Sequence, residues 1–338
     1  MSFLTPNQIF SWMFRLSAQQ DYQTLTHEFL NILQENPQVN EASGYEIYNH
    51  KLKISGEVII DERLIRRFPL DFTKEDDISD NVRVSDSAHI IGVATSDADA
   101  NGDFSWSVLT VKGGSGPDRS ILVEGKLNTS TIEILKHLRG IYQNMVILHD
   151  IKERDLLTTL PNRQSLDSRL MQVCQHYSNH PIVDKMHDKC SWIAILDIDH
   201  FKRVNDNFGH LYGDEVLLIF SQIMDRKFRY NDFLFRYGGE EFVVVLNLST
   251  QEAAMTVFNR FRSAVEEYHF PTVGKVTVSI GVTHIDNSAM PSMLLDRADK
   301  ALYYAKEHGR NQVVLFESTP ELVAEEYEHS DDGEIELF

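Results

Sequence analysis

Residues 236–246 read RYGGEEFVVVL. This segment places two glycines and two adjacent glutamates between apolar runs, Phe233–Phe235 before it and Phe242–Leu246 within it. Aromatic and β-branched runs predict strands, and the glycines between them predict a tight hairpin, because glycine accepts positive φ and lets another molecule approach the backbone. Taken alone, the segment also fits a solvated hairpin tip with two surface acids. Its function therefore depends on what the rest of the chain places beside it.

The bulk properties favour a water-soluble protein of two domains. The chain has 338 residues, of which 42% are hydrophobic and 25% charged. No apolar run approaches the roughly 18 residues of a membrane helix, there is no signal-peptide pattern, and Cys174 and Cys190 are the two cysteines. We therefore expect a cytoplasmic protein with reduced thiols. A net charge of −19 argues against nucleic acid and anionic membranes as partners.

The first 128 residues predict an α/β domain with its own core. Two helical patterns open it, around Phe10–Leu16 and Leu25–Leu33, and strand-like runs such as Ser105–Val111 follow. This layout resembles that of GAF sensor domains, and the resemblance rests on layout alone. A cysteine-linked bilin is excluded because residues 1–150 contain no Cys. The sequence does not indicate which ligand such a sensor would bind.

Residues 129–155 predict a helical signalling linker. Apolar residues recur there with heptad spacing, at Ile134, Leu138, Ile141, Met145 and Leu148. Two interpretations remain open: a seam that joins two copies of the chain, or one helix that packs on its own domain. The position of the helix between two domains favours the seam, through Leu138, Ile141 and Met145. At the other end of the chain, residues 317–338 contain nine acids and no Lys or Arg, which predicts a disordered, solvated tail.

The segment between the linker and the tail alternates helices and strands around the hairpin, which predicts a mixed sheet. One strand, Trp192–Leu196, ends at Asp197. If this strand neighbours the hairpin, Asp197 approaches Glu240 and Glu241, and converging carboxylates favour a hard divalent cation. Lys306 and Arg310 follow at a predicted helix end, where they can meet phosphates.

Together these residues resemble the GGDEF family of diguanylate cyclases. Four blocks occur in the family's order, covering about residues 155–316: DLLTTLPNR at 155–163, Asp197–Asp214, GGEEF at 238–242, and Lys306–Asn311. Thr159 and Gln164 depart from the pattern, since the family more often has Gly and Arg there. The resemblance implies a cyclase domain over residues 156–316. Its expected fold is an α/β (α+β) protein with a palm-like mixed sheet flanked by helices, as in nucleotidyl cyclases.

The resemblance also implies an activity and its site. The family joins two GTP molecules into cyclic di-GMP and releases two pyrophosphates, which requires a homodimer because each domain holds one GTP. Asp197, the Ile198 carbonyl and Glu240 would hold Mg²⁺, two ions per site with Mn²⁺ as an alternative, and Glu241 would complete the catalytic carboxylates. Asn205 and Asp214 match the guanine-binding pair. The groups implied to contact the phosphates are His200, Phe201, Lys202, Gly238, Gly239, Lys306 and Arg310.

Arg229 and Asp232 match the family's RxxD product-inhibition site by their offset from the hairpin, with Arg260 as a further contact. An ordinary surface ion pair is the alternative. For the whole protein, the rival hypothesis is a catalytically silent receptor that binds cyclic di-GMP.

Two metal-like patterns carry less weight. Residues 97–103 resemble the start of an EF-hand calcium loop, but Val108 stands where a Glu ligand is needed, so a hairpin loop is favoured. The cluster of Cys174, His176, His180, His187 and Cys190 fits no zinc-finger spacing.

Overall fold

The computed structural model describes residues 6–54, 57–68, 83–84, 92–113, 116–179, 190–229, 232–286 and 290–324. The chain divides into two compact units, Met1–Arg154 and Asp155–Phe338. Within the described parts of the chain, no helix combines the length and hydropathy needed to span a bilayer.

The first unit is a five-stranded antiparallel sheet with helices packed on it. Its elements are α1 (Pro6–Ser17), α2 (Tyr22–Gln34), β1 (Val39–Ile54), β2 (Glu57–Phe68), β3 (Gly92–Thr95), β4 (Phe104–Val111), β5 (Asp118–Leu127) and α3 (Thr129–Glu153). The strands lie in the order β2-β1-β5-β4-β3. Asn128 caps α3 by accepting a hydrogen bond from the Thr131 amide at 2.9 Å.

Helix α3, the predicted linker, packs on the core of its own unit. Leu138 is 4% exposed and Tyr142 is fully buried, with its ring stacked on Phe29 at 4.2 Å between centroids. Ile141 and Met145 are partly buried against the same core. Leu148, the last residue of the heptad pattern, is 59% exposed. The packing interpretation therefore holds for Leu138, whose assignment to an intermolecular seam we correct, and it does not extend to Leu148.

Helix α1 buries one side and exposes the other. Trp12 and Leu16 lie in the core of the unit. The opposite side carries four exposed large apolar residues, Ile9, Phe10, Met13 and Phe14. Spacing of i, i+1, i+4 and i+5 places these four side chains on one stripe of the helix.

The calcium-like segment is a hairpin loop between β3 and β4. The Asp99 carboxylate accepts hydrogen bonds from the amides of Asn101 and Asp103 at 2.8 and 3.0 Å. Ala98 and Phe104 form an isolated bridge across the loop. Asp99 therefore uses its oxygen in an Asx-type turn, as the loop interpretation expects.

The second unit is a mixed five-stranded sheet flanked by helices, as predicted. Its elements are α4 (Arg163–Asn179), β6 (Cys190–Ile198), α5 (Phe201–Phe208), α6 (His210–Lys227), β7 (Phe233–Gly238), β8 (Glu241–Ser249), α7 (Gln251–Glu267), β9 (Val278–Ile285), α8 (Pro291–Glu307), β10 (Val313–Leu315) and a 3₁₀ turn (Phe316–Ser318). The strand order is β10-β9-β6-β8-β7. Only the β10–β9 pair is parallel among these pairings; β6, β7, β8 and β9 pair antiparallel.

Strand β6 is the central strand, and this position determines where the site forms. Its residues Ile193 to Ile198 are buried because both faces of the sheet are covered. The antiparallel register sets Asp197 of β6 opposite Glu241 of β8 and Ser279 of β9. The C-terminal end of β6 therefore lies beside the tip of the β7–β8 hairpin.

Part of the predicted disordered tail is packed. Leu322 is 6% exposed and joins a cluster with Val314 and Phe316. Glu317 accepts a hydrogen bond from the His284 amide at 3.3 Å. The acidic composition of residues 317–338 predicted disorder, although Leu322 packs in the cluster. The predicted start of the disordered tail at residue 317 is therefore too early. Residues 325–338, like His180 and His187 of the Cys/His cluster, lie outside the described residues.

Candidate functional site

The predicted carboxylates meet where β6 ends. Asp197 pairs in register with Glu241, and the Ile198 amide donates to the Glu240 carbonyl at 3.4 Å. Lys306, in the last turn of α8, places its ammonium 2.8 Å from Asp197 Oδ2. Two sheet elements and one helix end thus bring the four predicted side chains to a common point.

Burial makes this cluster electrostatically costly. It raises the pKa of Asp197 to about 6, where Lys306 acts to lower the value and Glu240 and Glu241 to raise it. Burial also raises the pKa of Glu241, opposed by Lys306. The carboxylates therefore favour a cation at this point, and the ammonium of Lys306 already meets part of that demand.

The oxygen donors suit Mg²⁺ or Mn²⁺. The predicted set combines the Asp197 and Glu240 carboxylates with the Ile198 carbonyl, all hard ligands. Among the described residues, no three His, Cys, Asp or Glu side chains could enclose a metal ion by themselves. A cation held here would complete its coordination with water or substrate oxygens, which is how Mg²⁺ is usually bound.

The hairpin tip presents open backbone. Gly239 has φ +49°, which glycine adopts without strain, and a Cβ built on Gly238 or Gly239 would meet nothing within 4 Å. Arg236 braces the tip: its Nη2 donates to the Gly239 carbonyl at 2.9 Å and its Nη1 to Asp155 at 2.8 Å. A cleft of about 370 Å³ beside the tip is lined by Asp155, Asn162, Arg163, Gln164, Arg236, Tyr237, Gly238 and Gly239.

The entrance segment of residues 155–163 is a turn tied to the hairpin. Burial alone would raise the pKa of Asp155, but hydrogen bonds from Thr158 and Arg236 hold it below its ordinary value. Thr159 has φ +60°, an uncommon conformation for a β-branched residue. This explains physically why glycine suits the position where this chain has threonine. Neither Asp155 nor Arg236 was predicted to belong to the site, although both lie in motif segments, DLLTTLPNR and RYGGEEFVVVL.

The predicted guanine-binding pair is brought together by a close helix contact. A Cβ at Gly213 would lie 2.0 Å from the Asn205 side-chain oxygen, so a larger residue there would displace the Asn205 side chain. Asn205 of α5 is thereby placed next to Asp214, the residue after Gly213 on α6. Asp214 is exposed and Asn205 is half-buried, so polar edges remain accessible to a ligand.

Three of the predicted phosphate-contacting groups, His200, Phe201 and Lys202, follow the end of β6 along the chain. His200 caps α5 with φ +58°, Phe201 is 6% exposed and Lys202 is exposed in the first turn of α5. Arg310 is exposed, two residues beyond His308, the C-cap of α8, with φ +61°. The structure does not bring Lys202 or Arg310 into a described contact with the carboxylates.

The predicted product-inhibition residues lie together, but Asp232 is less available than expected. It is 8% exposed, and its two oxygens accept from the amides of Arg229 at 2.8 Å and Asn247 at 3.4 Å. Arg229 is exposed, and Arg260 donates to the Lys227 carbonyl at 2.7 Å. Burial raises the pKa of Asp232, which the two amides and both arginines counteract.

Comparison with known proteins finds a family match that lies almost entirely in the second unit. Residues 152–312 match the family described as "Diguanylate cyclase, GGDEF domain". "Diguanylate cyclase DgcP" of Pseudomonas aeruginosa is 40% identical over 164 residues, 47% of this chain and 23% of that protein. "Diguanylate cyclase A" of Treponema denticola is 46% identical over 128 residues, 36% of this chain and 34% of that protein.

Among solved structures, the GGDEF domain of DgcB from Caulobacter crescentus in complex with c-di-GMP is 31% identical. The match covers 49% of the present chain and 96% of the DgcB chain, with a TM-score of 0.45. The chain spans less than half the length of the curated relatives it matches.

Proposed function

We propose that this protein is a diguanylate cyclase that condenses two GTP molecules into cyclic di-GMP and two pyrophosphates. The observation that carries the proposal is the meeting of Asp197, Glu240 and Glu241 beside Lys306 at the end of β6, within the segment that matches the family. Buried carboxylates beside an open glycine hairpin offer a place for a cation and a triphosphate together.

The metal ligands are Asp197, the Ile198 carbonyl and Glu240, with Glu241 beside them. When bound, Mg²⁺ or Mn²⁺, two ions per site, would lower the pKa of the attacking 3′-hydroxyl and neutralise the leaving pyrophosphate. Lys306, which pairs with Asp197 at 2.8 Å, would be free to pair with the phosphates in a site where Asp197 served as a metal ligand. This exchange keeps charge in the buried site balanced in both states.

The remaining residues bind and orient GTP. The triphosphate lies against the backbone of Gly238 and Gly239, where no side chain intervenes. The further phosphate contacts are the amides of His200 and Phe201 and the cations of Lys202, Lys306 and Arg310. Asn205 and Asp214 bind the guanine edge, and the carboxylate of Asp214 accepts from guanine N1–H and N2 amine. Adenine offers neither donor, so Asp214 selects against ATP.

Catalysis requires two copies of the chain, because each unit holds one GTP. The exposed stripe of α1 supports a place for their contact: Phe10 and Phe14 are 68% and 74% exposed. These two rings alone offer on the order of 300 Å² of apolar surface, whereas a stable interface buries about 800 Å² per partner. A homodimer interface centred on the stripe would therefore have to extend onto further surface, such as that of the neighbouring helix α3, which contacts α1.

Two forms of regulation complete the proposal. Cyclic di-GMP binds at Arg229, Asp232 and Arg260 and slows turnover as it accumulates. Because the Asp232 oxygens already accept two amides, Arg229 is the principal contact and Asp232 holds its backbone in place. The first unit, with a GAF-like layout, senses a ligand whose identity stays open, and it controls the cyclase unit.

The test is product formation by the purified protein with GTP and Mg²⁺, followed by chromatography of cyclic di-GMP. Glu240→Gln keeps the side-chain shape but removes a negative ligand, so it should lose nearly all turnover while circular dichroism stays unchanged. Glu252→Gln, an exposed glutamate in the first turn of α7, is the matched control and should keep full activity. A folded wild-type protein that binds cyclic di-GMP but forms none would favour the silent receptor instead.

A further inference from the structure

Asp199 is a buried carboxylate to which the proposed reaction gives no role. It lies two residues after Asp197 and is 6% exposed. Its Oδ1 accepts from the Ser279 hydroxyl at 2.7 Å, and its Oδ2 accepts from the Thr277 hydroxyl at 2.7 Å and the Asn311 amide at 3.1 Å. Since both oxygens are engaged by the protein, Asp199 is placed to hold structure and not to bind a cation.

The amide that Asp199 holds belongs to a strained loop. Gly309, Arg310 and Asn311 have φ values of +109°, +61° and +47°, so two non-glycine residues in succession adopt the left-handed conformation. Such residues cost free energy and persist only where neighbouring contacts enforce them. The Arg310 amide donates to the Ala305 carbonyl at 2.9 Å, which ties the loop to α8. Asp199 supplies the link from the loop to the end of β6.

We propose that Asp199 is a positioning residue that holds the loop of residues 309–311 so that Arg310 meets the triphosphate of GTP. The inference rests on the proposed function, which assigns the phosphates to Arg310. Asp199 follows the metal-ligand strand directly, so the same strand end that carries Asp197 also sets the position of Arg310. This arrangement fixes the position of the phosphate-binding Arg310 relative to the metal-binding Asp197.

A double-mutant cycle tests the inference. Binding of 3′-deoxy-GTP, which lacks the attacking hydroxyl, and of GMP is measured by calorimetry with Mg²⁺ for wild type, Arg310→Ala, Asp199→Ala and the double variant. Loss of a charge-assisted phosphate contact should weaken 3′-deoxy-GTP binding about tenfold or more in each single variant. The double variant should be no weaker than the weaker single one, and GMP binding should change in none.

Two further variants separate positioning from general damage. Ser279→Ala removes one hydrogen bond of Asp199 but leaves its bond to the Asn311 amide, so it should bind 3′-deoxy-GTP within about twofold of wild type. Asp199→Asn keeps the volume and serves if Asp199→Ala does not fold. Because its Oδ1 can still accept the Asn311 amide, it should bind 3′-deoxy-GTP more tightly than Asp199→Ala, whereas hydrogen exchange at that amide should be faster in Asp199→Ala than in wild type.

The outcomes are distinct. If the losses of Asp199→Ala and Arg310→Ala multiply in the double variant, or if GMP binding falls as much as 3′-deoxy-GTP binding, the positioning role is refuted while the proposed function stands. If Arg310→Ala itself binds 3′-deoxy-GTP normally, the phosphate role of Arg310 is wrong and the inference falls with it. Unchanged exchange at the Asn311 amide in Asp199→Ala would also overturn the inference.

Discussion

Metal binding at the end of β6 should depend on pH with a midpoint near 6. Burial raises the pKa of Asp197 to about 6, against the lowering effect of Lys306. A protonated carboxyl does not bind a cation, so protons and metal compete for the same oxygens. The ionised fraction falls by about tenfold between pH 7 and pH 5 for a group with this pKa. The affinity for a divalent cation should therefore fall by about tenfold over the same interval.

The measurement uses Mn²⁺ and the nucleotide-free protein, with free Mn²⁺ followed by electron paramagnetic resonance between pH 5 and pH 8. Lys306→Met sharpens the test, because Lys306 lowers the pKa of Asp197 and its removal should move the midpoint to higher pH. Lys300→Met is the matched control. It is on the same helix and pairs with Asp296 at 2.8 Å, with a side chain 29% exposed against 30% for Lys306.

The effects of acid and of Lys306→Met on Mn²⁺ affinity have the same cause, which is protonation of Asp197. Acid should weaken binding, and loss of Lys306 should make binding more sensitive to acid, whereas Lys300→Met should follow wild type. An affinity that stays constant from pH 7 to pH 5 would refute the assignment of Asp197 as a ligand. A midpoint in Lys306→Met at or below that of wild type would refute the role given to the ion pair.

Three further predictions concern other surfaces of the protein. Replacing both Phe10 and Phe14 with Glu should convert a dimer into a monomer in analytical ultracentrifugation and abolish turnover. The control Ser11→Glu, on the same helix, should change neither the oligomeric state nor the turnover. If the double variant remains a dimer, the interface lies elsewhere. Arg229→Ala should keep the initial rate of turnover but lose the inhibition by added cyclic di-GMP. The control Arg226→Ala should keep both the initial rate and the inhibition. If cyclic di-GMP inhibits the two variants equally, Arg229 has no role in product inhibition. Thr159→Gly should raise the free energy of unfolding of the second unit by about 1 kcal/mol in urea, because it relieves a left-handed φ at the expense of chain entropy. Thr158→Gly should lower the same free energy, since Thr158 donates its hydroxyl to Asp155 at 2.7 Å, and a Thr159→Gly variant no more stable than wild type would show that the strain is relieved in another way.

Local sequence patterns were sufficient for the second unit's plan. The hairpin followed from glycines between apolar runs, and the mixed sheet followed from helices alternating with strands around it. The clustering of Asp197, Glu240 and Glu241 needed one added assumption, that β6 and β8 are neighbours, and the register of Asp197 with Glu241 confirms it. Patterns of this kind are reliable because each depends on residues within a few positions of one another.

Contacts between distant positions required the folded structure. Lys306 pairs with Asp197, and Asn311 donates to Asp199, although more than a hundred residues separate each pair. The sequence placed Asp199 beside a ligand but carried no sign that its oxygens are consumed by Thr277, Ser279 and a loop amide, because partners of a buried carboxylate depend on which strands pack around it.

Helix α3 also shows what a local sequence pattern does not determine. Its apolar spacing correctly indicated a helix with a buried face, yet a period of 3.5 to 3.6 residues does not specify what covers that face. Leu138 and Tyr142 pack against the core of their own unit, whereas Leu148 and Ile151 of the same helix stay exposed, as does the stripe of α1. Periodicity is a property of one helix, whereas the choice between a core and a partner depends on the free energy of all the surfaces that compete for it.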